Sequence, residues 1–188
     1  MVVLNESVKL HKILKATMLS KTHTKYIQSL WHKKFRDEMG LFIAEGPKVV
    51  TELLNSRKFV CKEIFALDKW IQDEKKLLSG NPHLSITEIE DFELKKISSL
   101  ATANTVVAVF EKKQQKLLPD IKNQISLVLD SIQDPGNLGT IIRTADWFGI
   151  GHVICTPDSA DAFNPKVVQS TMGAITRIHI IYKDVVEI

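Results

Sequence analysis

One segment in the second half of the chain constrains the fold most, because a strand, a turn and a helix are predicted there in direct succession. Residues 125–130 form a short apolar run of the kind that is buried in a parallel sheet. Residues 134–137 (Asp-Pro-Gly-Asn) have turn chemistry, since proline presets φ, glycine permits positive φ and asparagine can cap a helix. Residues 138–148 have helical periodicity, and Gly149 ends the pattern. The segment therefore predicts an α/β protein.

The same alternation of strands and helices extends along the chain on both sides of a polar stretch. The elements predicted before that stretch are an amphipathic helix from Lys21 to Phe35, strands at 40–46, 61–67, 84–87 and 105–110, and helices from Pro47 and at 91–100. After it, strands are predicted at 153–155 and 177–182, with a helix between them that Asn164 caps and Pro165 opens. The order β-α-β-α-β implies right-handed crossovers and a parallel sheet.

The polar stretch, residues 111–124, is predicted to be a linker because it is rich in Lys and Gln and is broken by proline. It separates a first unit, residues 18–110, from a second unit, residues 125–188. Residues 1–17 form an N-terminal extension with helix-like apolar spacing, and Met18 offers an alternative start. We expect weak order in this extension, with a packed extra helix as the alternative.

Charge is distributed unevenly along the chain. The stretch that ends at Arg36 has eight Lys or Arg residues and one acid, which gives it a net charge of +7. The rest of the chain has a net charge of −4, so the total is +3. A basic arm on a mildly acidic body favours contact with a polyanion, and nucleic acid is the commonest one. A solvated helical face of ordinary lysines would give the same pattern.

Other classes of protein are disfavoured. No apolar run reaches the roughly 18 residues that a membrane span needs, and lysines interrupt the N-terminal apolar residues where a signal peptide would have its core. We therefore expect a cytoplasmic protein without membrane contact. Cys61 and Cys155 are far apart and form no CxxC pair, so neither a disulfide framework nor a metal site is predicted.

The predicted turn and helix at 134–148 also carry the candidate chemistry. Open α/β sheets bind ligands at the carboxyl ends of their strands, and an arginine in the first turns of a helix suits a phosphate. Thr140, Arg143 and Trp147 share a flank of this helix away from its apolar face. Asn137 as a plain N-cap and Arg143 as a surface cation would explain both residues without chemistry. A dinucleotide site is disfavoured because the loop lacks the GxGxxG pattern.

Residues 130–149 resemble the first signature motif of the SpoU/TrmH-type RNA ribose 2'-O-methyltransferases of the SPOUT superfamily. That motif is D-x-[IV]-x-D-P-x-N-x-G-x-[IL]-x-R-[TS]-A-x-x-F-G, and this sequence fits all of it. Residues 164–174 resemble the helix that follows in the family, with its Ser-x-Gly-Ala. Thr171 stands where serine is usual, so the hydroxyl is kept, whereas Gln169 stands where arginine is common.

The first unit resembles the substrate-binding domain of the same family, which has the fold of kink-turn-binding ribosomal proteins. Residues 33–36 (Lys-Lys-Phe-Arg) and 42–46 (Phe-Ile-Ala-Glu-Gly) match its basic run and its F-x-x-E-G element, and residues 101–105 also fit. The RNA-binding residues that the resemblance implies are Lys33, Lys34, Arg36, Glu45 and Lys166.

The resemblance implies 2'-O-methylation of a ribose in RNA with S-adenosylmethionine as cofactor, in rRNA rather than tRNA, and a trefoil-knot SPOUT fold for the second unit. It implies that Arg143 handles the proton of the 2'-hydroxyl with the help of an RNA phosphate, while Asn137 shapes the loop and assists. Because arginine is essentially always protonated, a guanidinium that orients the hydroxyl and stabilises the developing oxyanion is the more conservative role.

Two segments of the family, G-N-E-x-x-G and S-L-N-V-S, which form the knot around the methyl donor, do not occur in these 188 residues. We therefore expect no cofactor-binding residues here, an inactive 188-residue form, and a homodimer only for a full-length family member. The alternative is a non-catalytic RNA-binding protein that uses the basic first unit alone. A genuine stop codon after Ile188 would favour that alternative.

Overall fold

The computed structural model describes residues 13–15, 18–113 and 124–184. Within them, two α/β units follow one another along the chain, and each unit has its own sheet. Most of the predicted linker, residues 114–123, lies outside the described residues, and so does most of the predicted extension.

The first unit has a five-stranded sheet in the order β1-β4-β3-β5-β2. Its strands are β1 (Ile13–Lys15), β2 (Leu41–Glu45), β3 (Cys61–Ala66), β4 (Ile86–Glu88) and β5 (Val106–Glu111). Its helices are α1 (Lys21–Ser29), α2 (Lys33–Met39), α3 (Pro47–Ser56), α4 (Asp68–Asp73), α5 (Lys75–Ser79) and α6 (Asp91–Ile97). Strands β1, β4 and β3 are parallel to one another, whereas β5 runs antiparallel to both β3 and β2.

Two predictions for the first unit are wrong in detail. The single helix expected from residue 21 to residue 35 is broken between α1 and α2, because the carbonyls of Leu30 and Trp31 accept hydrogen bonds from the Arg36 guanidinium at 3.1 and 2.7 Å. Residues 13–15 belong to the extension for which weak order was expected, with a packed helix as the alternative, and they instead pair with residues 86–88 as edge strand β1.

The second unit has a three-stranded sheet in the order β6-β7-β8, and all of its strands are parallel as predicted. Its elements are β6 (Ser126–Leu129), α7 (Pro135–Trp147), β7 (His152–Cys155), α8 (Pro165–Ser170), a 3₁₀ turn (Ala174–Thr176) and β8 (His179–Tyr182). The expectation that residues 125–130 are buried is wrong, because β6 lies at the edge of the described sheet. Ile125 is 75% exposed and Val128 is 48% exposed.

The two units share one hydrophobic core. Phe163, from the segment between β7 and α8, packs against Phe42 and Phe59 of the first unit, with ring centroids 4.9 and 6.0 Å apart. Polar contacts reinforce this interface: Arg36 pairs with Asp161, and Arg177 of the second unit pairs with Glu52 of the first. The packing fixes the second unit relative to the first. Among the described residues, no helix combines the length and the apolar character needed to cross a membrane.

Lys58 crosses the same interface, and its ammonium donates to the carbonyls of Ile175 and Ile178 at 3.2 and 2.9 Å. Burial, helped by the nearby charge of Lys113, lowers the pKa of Lys58 to about 8. In the unfolded chain the pKa of Lys58 has its ordinary value of roughly 10.4, so Lys58 keeps its proton to a higher pH than in the folded protein. The free energy of unfolding is therefore expected to rise with pH between about 8 and 10.4 through this group.

The measurement is urea unfolding of the full-length protein and its Lys58→Met variant from pH 7 to pH 10.4. Burial raises the pKa of Cys61 to about 12, which lowers stability over part of the same range. That effect is common to both proteins, so the difference between the two curves isolates Lys58. A difference that stays constant across the range would contradict the prediction.

Candidate functional site

The loop between β6 and α7 is held by its first acidic residue. The Asp134 carboxylate accepts a hydrogen bond from the backbone N–H of Asn137 at 2.8 Å and caps α7, and Pro135 takes the first helical position. That bond, together with the ion pair to Lys166, lowers the pKa of the Asp134 carboxyl. Asn137 is therefore not the cap that the turn chemistry suggested. It lies inside the first turn, and its side chain is exposed.

A set of hydroxyl groups supports this loop from the neighbouring β7–α8 segment. Ser131 has a left-handed backbone conformation, with φ +52°, which costs free energy unless its surroundings fix it. Its N–H donates to the Thr156 hydroxyl at 2.8 Å, and its own hydroxyl donates to Asp158 at 2.6 Å. The N–H of Ile132 donates to the Ser159 hydroxyl, and the carbonyl of Ile132 accepts a hydrogen bond from the N–H of Ala160. The loop is thus preorganised without a ligand.

These supporting hydroxyls were not predicted to be functional. The only sequence cue is that serine and threonine follow the strand ends, and such residues are common in turns for many reasons.

Arg143 lies on α7 about 9 Å along the helix axis from Asn137, at 1.5 Å per residue. Six residues also turn the helix by about 600°, so Arg143 lies about 120° around α7 from Asn137. Thr140, Arg143 and Trp147 are all exposed, as the helical spacing predicted, and Trp147 is 86% exposed. Arg143 makes no hydrogen bond and no ion pair within the described part of the chain. It is an exposed cation beside a fixed loop.

Lys166 brings a cation to the loop itself. It follows the Asn164 cap of α8, as predicted, and its ammonium lies 3.4 Å from Asp134 Oδ2. Helices α7 and α8 approach closely at Gly139, where a Cβ atom would lie 2.5 Å from Ser170 Cβ and 2.7 Å from the Val167 carbonyl oxygen. This close approach brings Lys166 across the loop.

The basic run of α2 divides into exposed and buried residues. Lys33 and Lys34 are exposed, as expected of residues that contact RNA. Arg36 is only 1% exposed, and its guanidinium donates hydrogen bonds to Asp161 and to two backbone carbonyls. The prediction that Arg36 contacts RNA does not fit this arrangement, because no face of the guanidinium is open to a phosphate.

Glu45 is also internal. It is 4% exposed and accepts hydrogen bonds from the Ser98 hydroxyl at 2.6 Å and from the Ser99 N–H at 2.8 Å. Its carboxylate therefore anchors the end of α6 to strand β2. The prediction that it contacts RNA does not fit, since a buried carboxylate would also repel phosphate.

A cleft of about 870 Å³ lies between the two units. Lys33, Lys112 and Lys113 line it together with Asp37 and Asp161, and Phe163 and Tyr182 add aromatic surface. Asn137 and Arg143 do not line this cleft. Within the described ranges, no group of three His, Cys, Asp or Glu side chains is arranged to hold a metal ion.

Both units match known domain families. Residues 124–188 match the SpoU rRNA Methylase family, and residues 21–108 match the MRM3-like substrate binding domain. The rRNA methyltransferase 3, mitochondrial, of Xenopus laevis is 32% identical over 157 residues, which are 79% of this chain and 36% of that protein. The 23S rRNA (guanosine(2553)-2'-O)-methyltransferase RlmP of Bacillus subtilis is 32% identical over 158 residues, or 84% of this chain and 60% of that protein.

Solved structures agree with these matches. A putative RNA methyltransferase of the TrmH family from Porphyromonas gingivalis is 38% identical, with a TM-score of 0.72 over 89% of this chain and 64% of that one. The AdoMet-bound rRNA methyltransferase from Sinorhizobium meliloti is 28% identical, with a TM-score of 0.79 over 93% of this chain and 66% of that one.

The chain spans well under two thirds of the length of the two curated relatives. The comparisons confirm the mixed α/β fold with a parallel sheet, and they confirm the resemblance found in the sequence. With a substrate-binding domain followed by a SpoU methylase domain, the chain belongs to the SpoU/TrmH family of RNA methyltransferases.

Proposed function

We propose that this protein methylates the 2'-hydroxyl of a ribose in rRNA, with S-adenosylmethionine as the donor. The observation that carries the proposal is the exposed guanidinium of Arg143 on α7, the helix that follows a preorganised loop, in the segment that matches the SpoU methylase family. The printed names of the Bacillus and Xenopus relatives support rRNA as the substrate, and the Bacillus name supports the 2'-oxygen as the acceptor.

The chemistry needs alignment and control of one proton. The donor supplies a methyl group on a sulfonium, whose sulfur leaves without an acid. The 2'-hydroxyl must be placed in line with that methyl group, and such alignment can lower the barrier by roughly 7 kcal/mol or more. Arg143 cannot act as an ordinary base, since its guanidinium stays protonated. It orients the hydroxyl and stabilises the negative charge that develops on the oxygen, while the displaced proton passes to an RNA phosphate or to solvent water.

An RNA phosphate completes the arrangement in this proposal. Arg143 and Lys166 would bind it from α7 and α8, and Asn137 would hold the loop against the same nucleotide. Lys33 and Lys34, exposed on α2, would contact the RNA backbone at a distance from the reacting ribose. Such contacts give affinity that depends on salt but not on sequence.

The donor contains a nucleoside as well as the methyl group that it transfers. A group of its size needs a walled pocket beside Arg143, and the cleft between the units is not lined by Arg143 or Asn137. We therefore assign no donor contact to the described residues. The proposal includes a homodimer and a cytoplasmic location for the full-length protein, although the name of the Xenopus relative includes the word mitochondrial.

The test is methyl transfer by the full-length protein to unmodified rRNA and to tRNA, with methyl-tritiated S-adenosylmethionine. We expect label in rRNA at one nucleotide whose 3' bond resists alkaline hydrolysis, because a methylated 2'-oxygen cannot attack the phosphate. Label on a base, or in tRNA alone, would contradict the proposal. Tight RNA binding without any transfer would favour the non-catalytic RNA-binding protein.

A further inference from the structure

Arg36 is the most fully engaged cation in the described first unit. Its Nε and Nη2 donate to Asp161 Oδ2 at 3.1 and 2.7 Å, and its Nη1 donates to the carbonyls of Leu30 and Trp31. The two carboxylate contacts join residues 125 positions apart in the sequence. A planar guanidinium suits this task better than an ammonium, because it offers several donors in one fixed fork.

Asp161 lies at the centre of the segment that supports the candidate catalytic loop. Its other oxygen accepts the N–H of Phe163 at 3.0 Å, which fixes the turn where Phe163 enters the first unit. One residue earlier in the chain, the N–H of Ala160 donates to the carbonyl of Ile132 at 2.8 Å. Three residues later, Asn164 caps the helix that carries Lys166.

The contacts therefore run without a gap from α2 to the loop at 131–137. On α2, Lys33 and Lys34 are exposed, and Lys33 also lines the cleft between the units. On the inner side of α2, Arg36 holds residues 156–164 through Asp161. Those residues in turn hold Ser131 in its left-handed conformation.

We propose that Arg36 is a positioning residue, which acts through Asp161 to hold the 156–164 segment and, with it, the loop that presents Arg143 and Lys166 to RNA bound on α2. This inference rests on the proposed function for its catalytic consequence. Its structural consequence can be measured without any catalysis. It also explains why a basic run in a substrate-binding domain contains one residue that RNA cannot reach.

The test uses the full-length protein with Arg36→Lys and Asp161→Asn, which preserve much of the shape at each position. Hydrogen exchange is measured at the N–H groups of Ser131, Ile132 and Ala160, with the buried Val107 and Val109 of β5 as internal references. We expect exchange to become at least tenfold faster at the first three sites and to stay unchanged in β5. We expect kcat for methyl transfer to fall at least tenfold, with the RNA affinity and its salt dependence unchanged.

Lys33→Gln is the matched control, because it removes a cation three residues earlier on the same helix. It should weaken RNA binding and flatten the salt dependence without changing exchange in the loop. Should the single variants fail to fold, Arg36→Met combined with Asp161→Leu removes both buried charges together, a change that proteins tolerate better. We expect this double variant to show the same selective increase in hydrogen exchange at the loop.

Three results would overturn the inference: unchanged loop exchange, an equal increase in β5, or a weaker and less salt-dependent RNA affinity in the Arg36 variants. The last would mean a direct RNA contact. If the wild-type protein transfers no methyl group, the proposed function fails, while the exchange data still decide whether Arg36 positions the loop.

Discussion

Replacing Arg143 with alanine is expected to lower kcat for methyl transfer by about 10²–10³-fold, the usual effect of removing one donor to a developing oxyanion. The melting temperature should not fall, because the side chain is exposed and makes no hydrogen bond or ion pair within the described residues. Alanine is also the best helix former at an exposed helical position. Methyl transfer to rRNA and thermal unfolding, both measured on the full-length protein, check the two parts separately.

Arg143→Lys separates charge from geometry. Lysine keeps the positive charge but loses the planar fork, so we expect RNA affinity close to that of the wild type and a kcat still at least tenfold lower. Arg57→Asn is the control: it removes another exposed arginine, at a C-cap with φ +53° that asparagine tolerates. Wild-type turnover by Arg143→Ala, or an equal loss in Arg57→Asn, would refute the assignment.

Elements that begin with local turn chemistry were predicted well from the sequence. Helices α3 and α8 each start with proline in the first turn, and Asn164 caps α8, as predicted. Helix α7 begins three residues earlier than predicted, because Asp134 rather than Asn137 caps it. These features depend only on residues within a few positions, so the sequence contains all the information that sets them. The parallel sheet of the second unit followed from the same local patterns.

Features that depend on distant partners could not be predicted. The break between α1 and α2 arises because Arg36 donates hydrogen bonds to two backbone carbonyls there and forms an ion pair with Asp161 across the unit interface. A basic run gives no hint that one of its members is buried. The exposure of β6 likewise depends on which strands lie beside it, and an apolar pattern does not specify its neighbours.

In the candidate site, too, residues in a local sequence pattern were identified from the sequence, whereas their contacts with distant partners were not. The motif identified Asn137, Arg143 and Lys166 because they belong to contiguous signatures. Asn137 lies in the first turn of α7, Arg143 is exposed further along the same helix, and Lys166 contacts the loop at Asp134. Glu45 belonged to a less specific motif, and its buried carboxylate accepts hydrogen bonds from the buried hydroxyl of Ser98 and from Ser99. A motif thus identifies residues that a family retains, and only burial separates those that contact a ligand from those that hold the fold.

The closest packing near the site gives the second large prediction, which concerns Gly139→Ala. A Cβ atom at this position would lie 2.5 Å from Ser170 Cβ and 2.7 Å from the Val167 carbonyl oxygen, so α8 must move away from α7. Overpacking of this kind costs about 1–3 kcal/mol, and the better helix propensity of alanine offsets up to about 1 kcal/mol of it. Urea unfolding should therefore show a net loss of stability.

The movement of α8 should also affect chemistry, because Lys166 begins that helix and lies across the Asp134 loop. Methyl transfer by Gly139→Ala is expected to fall even at temperatures where the variant is fully folded. Gly80→Ala is the matched control, since a Cβ atom there meets only an ordinary contact, 3.5 Å from the Leu77 carbonyl oxygen. Its stability should stay within about 0.5 kcal/mol of the wild type. Equal stability and activity in the two alanine variants would show that the α7–α8 contact does not position the loop.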